Sequence, residues 1–426
     1  MIKKCVHIGV MVLVLAGLLF GISNSTLAQE KVTLRTIGGP DPHGYETAED
    51  NLFEKVSPWI KVERTTVPYG REQRLKLIAS FSSARPYDMY IIDCVEVSEY
   101  ANAGWALDVT ERVTSEMKEG ILPFAADGMM YQGRWYGLPW ISEWKSFVYN
   151  ARMLKEAGFT GPPKTWDEFV EQSKRLQAAG IVERYATAWS WAQKECLICD
   201  SVAIMASFGG QFFDEDLNPV FNSQAGAEAL QWMIDSMYKH KISDQASLTF
   251  TESDVDALME GGKIAFELRW GLPLVILNDP KASKVVDECK IGLFPAKTLA
   301  TYPGYTVSGP MGWSIALDSP HKNEAWEYVE FRAGFVGAKR NAIKYGVFPG
   351  WISLYKDPSV TDAIPGLDVM LESGKQVVNR PRVPWYYKFS DALQLELHKA
   401  MTRAKSPENA LDDAVTETLK IKREAE

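Results

Sequence analysis

The amino-acid sequence predicts an α/β protein with two lobes. Strand-like and helix-like segments alternate along the part of the chain that follows residue 31, which is typical of a parallel sheet covered by helices. The chain has 426 residues, and chains longer than about 250–300 residues usually divide into more than one core. No repeat, low-complexity tract or proline-rich linker separates two halves. We therefore expect the chain to cross between the lobes more than once, through ordered connections.

The first elements follow a β-α-β-α-β order. We predict strands over residues 32–37, 60–67 and 87–93, helices over residues 48–56 and 71–82, and a further helix that ends at residue 103. The triplet Gly38-Gly39-Pro40 stops the first strand, and the second is rich in β-branched residues. This order predicts a parallel sheet with right-handed crossovers.

Ligands of such sheets lie beyond the carboxyl ends of the strands, where the strand order reverses. Gly39 and Asp93 lie at those ends in this sequence. A glycine lets a ligand approach the backbone closely, and a carboxylate accepts hydrogen bonds from hydroxyl groups. Both residues are therefore candidates for a binding site.

The rest of the chain alternates less regularly. Residues 149–247 are predicted to be mostly helical, with a strand that closes at residues 189–191 and a helix capped by Asn222. Further strands are expected over residues 263–270 and 290–294. A helix follows Ser319 with proline in its first turn, and a last helix begins at Ser406.

The amino terminus has the features of a secretory signal. Lys3 and Lys4 precede an apolar run over residues 8–22, which is shorter than the roughly 20 residues of a bilayer span. Small residues end at Ala28, a plausible cleavage point, and a single membrane anchor is the alternative. The cleavage point has no cysteine that could carry a lipid. We expect an exported, periplasmic protein that begins after a signal peptide of residues 1–28.

Composition and motifs favour a binding protein over an enzyme. The formal charge of −9 disfavours nucleic acid as a partner, because its phosphates would repel the protein. The phosphate-binding and zinc-protease motifs are absent from the sequence, and paired carboxylates are uninformative among 55 acidic residues. We therefore predict no enzyme activity, cofactor or metal.

Cysteines leave one question open. Four cysteines follow the predicted signal, and export makes disulfides possible. They are Cys94, Cys196, Cys199 and Cys289. The Cys-x-x-Cys pair could be redox-active or half of a metal site, but it lies in an apolar helical stretch without a second pair. A structural role is favoured, and the disulfide state stays open.

One long phrase, residues 136–169, carries a family resemblance. A Gly-Pro turn leads into an apolar strand that ends at Asn150, a short helix and a double-proline break follow, and Thr165 with Glu168 forms a capping box at the next helix. The phrases VPYGREQRLKLIASF, SFGGQFFDEDLNPVFNS, SGPMGWSIALDSPHKNEAWEYVEF and RPRVPWYYKFSDALQ extend the match over nearly all of the chain after the signal. The sequence resembles the extracellular solute-binding proteins of carbohydrate ABC importers, which are similar to maltose-binding protein and form family 1.

The resemblance implies a two-lobed periplasmic-binding-protein fold of type II. Each lobe would be a mostly parallel sheet flanked by helices, with the ligand cleft between the lobes. The first lobe would comprise residues 29–142 and 298–333, and the second residues 143–297 and 334–426. Such a protein would bind a carbohydrate, close about a hinge and deliver the sugar to membrane permease subunits, as a monomer. The chain has Gly309-Pro310 where the family usually has two glycines, and it lacks the family's arginine near Trp351, so the identity of the sugar stays open.

The resemblance also implies a set of ligand-binding residues. A sugar ring presents an apolar face to aromatic rings and an edge of hydroxyls to charged groups. Besides Gly39 and Asp93, the candidates at or near places where the family lines its cleft are Trp140, Glu143, Trp191, Trp270 and Trp385. Three more candidates are Arg269, which lies next to Trp270, Gly309, which stands where the family usually has two glycines, and Arg380, which could bind a hydroxyl pair or an anionic group. The alternatives are core packing for the tryptophans, a solvated position for Glu143, a surface ion pair with Glu267 for Arg269, and an ordinary surface position for Arg380.

Two other functions remain open at this point. An exported carbohydrate-active enzyme could share the scaffold, and a sensor-associated binding protein could present its ligand to a membrane receptor. Product formation from oligosaccharides would identify the enzyme, and neighbouring permease genes would argue against the sensor.

Overall fold

The structure is a computed structural model that describes residues 30–68, 70–83 and 85–425. The predicted signal peptide lies outside the described residues. Within the described part of the chain, no helix combines the length and the apolar character needed to cross a membrane.

Strands and helices alternate through the chain. The strands are β1 Val32–Gly38, β2 Ile60–Thr66, β3 Met89–Asp93, β4 Met130–Tyr131, β5 Arg134–Trp135, β6 Leu138–Ile141, β7 Ser146–Asn150, β8 Phe266–Arg269, β9 Cys289–Gly292, β10 Thr306–Ser308, β11 Met311–Ile315 and β12 Val377–Asn379. The helices are α1 Tyr45–Val56, α2 Arg71–Phe81, α3 Cys94–Asn102, α4 Ser115–Gly120, α5 Pro123–Gly128, α6 Ala151–Glu156, α7 Trp166–Ala178, α8 Glu195–Ser207, α9 Gln224–Tyr238, α10 Glu252–Glu260, α11 Pro273–Leu277, α12 Lys322–Ala333, α13 Phe335–Tyr345, α14 Pro358–Thr361, α15 Leu367–Ser373, α16 Tyr386–Met401 and α17 Pro407–Ala425.

The first lobe is built on a five-stranded sheet with the order β2-β1-β3-β11-β6. Strand β1 is parallel to both β2 and β3, which confirms the predicted β-α-β-α-β unit. Strand β11 returns from late in the chain and pairs antiparallel with β3 and β6. Helices α2, α3 and α12 pack against this sheet, and the carboxyl ends of β1 and β3 lie at one edge, as predicted.

The second lobe is built on a three-stranded sheet with the order β8-β7-β9. Its named strands pair antiparallel, so the prediction of a mostly parallel sheet is wrong for this lobe. The physical reason lies in the chain order. Strands β8 and β9, which follow each other with α11 between them, do not pair with each other; β7 lies between them and runs antiparallel to both. Helices α6, α10, α11 and α15 pack against the sheet.

The connections between the lobes meet around Trp144, a fully buried residue between β6 and β7. Its backbone forms a bridge with Ser308, and its indole N–H donates to Ser373 Oγ at 2.8 Å. Strand β10 pairs parallel with β12 beside it. Because these segments come from three distant parts of the chain, they hold the two lobes at one common junction. Helix α13 packs on α12 of the first lobe, and the predicted lobe boundaries, including the one at residue 334, stay predictions.

Of the two predicted helix caps, the one at Thr165 is confirmed and the one at Asn222 is wrong. Thr165 caps α7 by accepting from the Glu168 N–H at 3.2 Å, but the Glu168 carboxylate bonds the N–H of Lys164 at 2.7 Å, one residue before the expected partner. Ser223 caps α9, and the prediction of Asn222 is wrong because that side chain donates to Asp412 at 2.7 Å.

The strand predicted to close at residues 189–191 is also wrong. Among the described residues of this segment, pairing is limited to isolated bridges at Thr187, which joins Ser243 and Phe266. The aromatic residues that suggested a strand are buried in a cluster of rings instead. Their burial is a result of tertiary packing that a local pattern does not show.

Candidate functional site

A cavity of about 560 Å³ lies between the two lobes. Helix α2, the end of β3 and the start of α3 line it from the first lobe, and the start of α8 and the first turns of α16 line it from the second. Charged and aromatic side chains that line it include Arg74, Asp93, Glu96, Glu195, Arg380 and Tyr387. The cavity therefore lies at the sheet edge that the sequence predicted, with walls from both lobes.

Arg380 is the central cation of this cavity. Arg380 directly follows β12 in the chain and is 5% exposed. Its guanidinium donates to Asp93 at 2.6 Å and to Glu195 at 3.0 Å. Burial opposes its charge, but the adjacent Asp93 carboxylate raises the pKa of Arg380 well above its ordinary value. A permanently charged guanidinium thus joins a residue of the first lobe to a residue of the second.

Asp93 and Glu96 form the start of α3. Asp93 accepts from the Val95 N–H at 3.3 Å, and Glu96 accepts from the Asp93 N–H at 3.1 Å, so the two carboxylates make a capping box. Burial, with the charge of Asp93, raises the pKa of Glu96 to about 7. The first-lobe wall therefore holds two carboxylates in fixed positions, one of which titrates near neutral pH.

Glu143 lies where the chain leaves the first lobe. Its half-buried carboxylate accepts from the Gly271 N–H at 3.0 Å, and its carbonyl accepts from the Gly309 N–H at 3.0 Å. Burial, with the charge of Asp93, raises the pKa of Glu143 to about 7. Glu143 is thus held at the lobe junction rather than on a solvated surface.

Gly309, between β10 and β11, lets the side chains of Trp270 and Arg380 approach the backbone closely. A Cβ at this position would lie 2.9 Å from the Trp270 ring and 3.5 Å from Arg380 Nη2, so the absence of a side chain makes the arrangement possible. The structure therefore brings together five of the predicted residues: Asp93, Glu143, Trp270, Gly309 and Arg380.

Lys145 lies against one face of the Trp270 ring. This residue was not among those predicted from the sequence. Its ammonium group is fully buried, donates to Asp200 at 2.6 Å and to Ser190 at 3.1 Å, and lies 5.6 Å from the centre of the Trp270 ring. A cation at this distance attracts the ring face. The contact restricts the orientation of Trp270 relative to the junction.

Two predicted residues lie in the first lobe away from this group. Gly39 follows β1 directly, at the same sheet edge as Asp93. Trp140 is 6% exposed on β6, where its N–H donates to Tyr45 at 3.2 Å and its ring lies 5.3 Å from the buried Arg332 guanidinium. In this conformation Trp140 packs inside the lobe, and its role in binding stays a prediction.

The remaining predicted residues lie inside the second lobe. Trp191 is fully buried and stacks on Trp189 at 5.3 Å between ring centres. Arg269 is 4% exposed and pairs with Glu260 at 2.5 Å and with Glu267 at 3.6 Å. The predicted common face of Arg269 and Glu267 is confirmed, but the pair is buried rather than superficial.

Trp385 also packs within the second lobe. It is 8% exposed and lies edge-on to Phe213 and Phe389, at 5.7 and 6.3 Å between ring centres. Its role as a sugar-stacking residue stays a prediction, as do the roles of Trp191 and Arg269.

Three polar atoms on residues that line the cavity lack a hydrogen-bond partner among the described residues. They are Arg380 Nε, Arg74 Nε and Gln73 Oε1. Two of them are donors and one is an acceptor, and each is costly to leave unpaired when buried. These atoms are themselves buried in the wall of the cavity, and Arg74 Nε lies 3.8 Å from the Glu96 carboxylate, so the lining as a whole, with charged groups of both signs, determines which ligands fit.

Sequence reasoning missed Arg74, Glu96 and Tyr387. A signal for Glu96 existed, since it follows Asp93 at the spacing of a capping box. The other two lie within phrases that resemble the family, but their contacts join residues hundreds of positions apart. Nothing local in the sequence marks such contacts.

The cysteines after the predicted signal are free and buried. Burial raises the pKa of all four thiols. The thiolate is the nucleophilic form, so these thiols are in an environment typical of structural cysteines.

Known proteins that resemble this chain in sequence are solute-binding proteins. The family model of bacterial extracellular solute-binding proteins matches residues 40–334. A probable ABC transporter-binding protein of Deinococcus radiodurans is 24% identical over 393 residues, which cover 88% of this chain and 90% of that protein. A mannitol-binding protein of Pseudomonas aeruginosa is 23% identical over 364 residues, which cover 82% of this chain and 80% of that protein.

A solved structure agrees with the arrangement of the whole chain. Maltose-bound MalE3 of T. maritima superimposes with a TM-score of 0.80 at 25% sequence identity, over 91% of this chain and 98% of that one. The two-lobed architecture is therefore shared along nearly the full length of both proteins.

Proposed function

The chain belongs to the family of bacterial extracellular solute-binding proteins, and on this basis we propose that it binds a carbohydrate or polyol between its lobes and delivers it to an ABC importer. The observation that carries the proposal is the cavity of about 560 Å³ between the lobes, since its volume falls within the roughly 300–1,000 Å³ of small-molecule sites. Residues of both lobes line it, so a bound ligand would contact both.

The chemistry of the cavity favours a ligand with several hydroxyl groups. A hydroxyl both donates and accepts, so it suits a cavity whose lining includes the cations Arg74 and Arg380 and carboxylates such as Asp93. Trp270 is half-buried beside the junction and offers an aromatic face to the apolar side of a sugar ring. Asp93 offers a carboxylate in the lining of the cavity, and Glu143 offers a second at the lobe junction, where it accepts from the Gly271 N–H. The relatives named for mannitol binding and solved with bound maltose support this ligand class.

Closure of the lobes would couple binding to delivery. A ligand that contacts both walls stabilises the closed form in proportion to its differential affinity for that form. The connections around Trp144 are short and paired, so they suit a hinge at which a few residues absorb the rotation. Membrane permease subunits would then recognise the closed protein.

The proposal includes an exported monomer. Family membership supports an extracytoplasmic location, and we infer that the segment before residue 29 directs export. The proposed activity needs neither a cofactor nor catalysis, because capture and release of the sugar suffice for import.

A thermal-shift screen tests the proposal. Monosaccharides, oligosaccharides and polyols are added to the purified protein, and a ligand at 100 times its dissociation constant should add about 2.7 kcal/mol to the free energy of unfolding. Chromatography of the same mixtures measures sugar turnover. Stabilisation without product supports the proposal, turnover identifies the enzyme alternative, and no stabilisation across the panel contradicts carbohydrate binding.

A further inference from the structure

Tyr387 of the second lobe makes direct contact with two charged residues of the first. It lies in the first turn of α16, a helix that packs along α8, α9 and α17. Its hydroxyl donates to Glu96 Oε1 at 2.9 Å, and the Arg74 guanidinium lies 4.1 Å from the centre of its ring. One side chain therefore takes part in a charge-assisted hydrogen bond and a cation–π contact across the cleft.

The first-lobe half of this contact is held in place by its own partners. Arg74 donates to both carboxylate oxygens of Glu99, at 2.5 and 2.6 Å. Glu96 is fixed as part of the capping box with Asp93. Because Arg74 and Glu96 are already oriented within the first lobe, they lose little further freedom when they meet Tyr387.

We propose that Tyr387 is a latch that holds the two lobes together through Glu96 and Arg74, independently of any sugar. This inference rests on the proposed function in one respect, namely that the closed arrangement of the lobes is the form that binds sugar. The contacts join protein groups directly, so they stabilise the closed form whether or not the cavity is filled. The latch therefore increases the fraction of protein in which both walls of the cavity are assembled.

The latch has a consequence for affinity. When only a fraction of the protein is in the binding-competent form, the apparent dissociation constant rises by the inverse of that fraction. A latch that increases this fraction makes closure less costly, so less of the free energy of ligand binding is used to close the lobes. Weakening the latch should then open the sugar-free protein and also reduce its apparent affinity.

Tyr387→Phe tests the latch, because it removes the hydroxyl and keeps the ring. At pH 8, where Glu96 with its pKa of about 7 is mostly ionised, losing a hydrogen bond to this charged group should reduce the ratio of closed to open protein about tenfold. Tyr238→Phe is the matched control, since Arg403 lies 4.2 Å from that ring centre within the second lobe. Arg74→Met is a second variant, which removes the cation from the Tyr387 ring.

The readout is the distance between the lobes in sugar-free protein. Spin labels on cysteines introduced at Glu63 and Glu171, which are exposed on the first and second lobes, report this distance by pulsed electron resonance. The latch predicts a longer mean distance in Tyr387→Phe and Arg74→Met, and the parent distance in Tyr238→Phe. Parent distances in both latch variants would overturn the proposal, even if Tyr387→Phe bound sugar less tightly, since that pattern indicates a ligand contact only.

The outcome is separable from the proposed function. The distances are measured without sugar, so a failed carbohydrate screen leaves the latch test intact. Conversely, a refuted latch leaves sugar binding between the lobes unaffected.

Discussion

Arg380→Gln should destabilise the protein far more than the same change two residues later. In the parent, the Arg380 guanidinium is 5% exposed and neutralises Asp93 at 2.6 Å and Glu195 at 3.0 Å. Glutamine retains hydrogen-bonding atoms but no charge. Both carboxylates then lose their cation in a site that is only partly open to water.

The size of the effect follows from the exposure of the partners. Removing one member of a buried ion pair typically costs about 3–5 kcal/mol, because an uncompensated charge remains. The Asp93 side chain is 17% exposed, whereas that of Glu195 is 36% exposed and keeps a bond from Ser390 at 2.8 Å. Water and these bonds reduce the loss, so we expect about 3 kcal/mol. Arg382 pairs at 2.7 Å with Asp127, which is 52% exposed, and also donates to the backbone carbonyls of Asp127 and Met130. No buried carboxylate in the described part of the chain depends on its charge, so its loss should cost about 0–1 kcal/mol.

Urea unfolding of the parent, Arg380→Gln and Arg382→Gln measures the difference. The midpoint of Arg380→Gln should fall well below the other two at a similar slope. Calorimetric titration with the best ligand should also show weaker binding for Arg380→Gln than for Arg382→Gln. Equal midpoints for the two variants would refute the view of Arg380 as the charge that holds this cavity together.

Two further perturbations follow from the junction. Gly309→Ala places a Cβ 2.9 Å from the Trp270 ring, so it should lower the free energy of unfolding by about 1–3 kcal/mol and weaken sugar binding. Gly161→Ala is the control, because no atom lies within 4 Å of its Cβ and neither property should change. Urea unfolding and calorimetric titration of both variants test this, and a Gly309→Ala variant of full stability and affinity would contradict it. The pKa of Glu143 is raised from 4.5 to about 7, so the native state binds the extra proton and this residue's contribution to stability falls as pH rises from 5 to 8. The free energy of unfolding of Glu143→Gln should therefore rise by on the order of 2 kcal/mol relative to that of the parent between pH 5 and pH 8. The variant Glu63→Gln, at an exposed position, is the control and should show no such rise. A pH-independent difference between Glu143→Gln and the parent would show that burial does not disfavour the charge of Glu143.

The sequence was sufficient where spacing along the chain determines structure. The β-α-β-α-β order predicted a sheet edge that carries Gly39 and Asp93, and both lie there. The phrase over residues 136–169 predicted the strand that ends at Asn150 and the passage into the second lobe. Each of these features depends on neighbours within a few tens of residues, which local patterns encode.

The sequence was insufficient where partners are distant. Tyr387 and Glu96 are separated by 291 residues, and no local pattern specifies that their side chains meet. Trp140 and Trp385 were predicted to line the cleft from the resemblance to the family, yet in this conformation their rings pack on partners within their own lobes. Burial of a tryptophan depends on the volume that surrounding elements leave, and only the assembled fold determines that volume.

Small-angle scattering with and without sugar tests the central claim most directly. The claim is that a carbohydrate binds between the lobes and stabilises their closed arrangement. The radius of gyration should fall when the best ligand from the screen is added at saturation, and the fall should be larger in Tyr387→Phe, whose free form is more open. An unchanged radius at saturation, in the parent and in the variant, would contradict binding between the lobes.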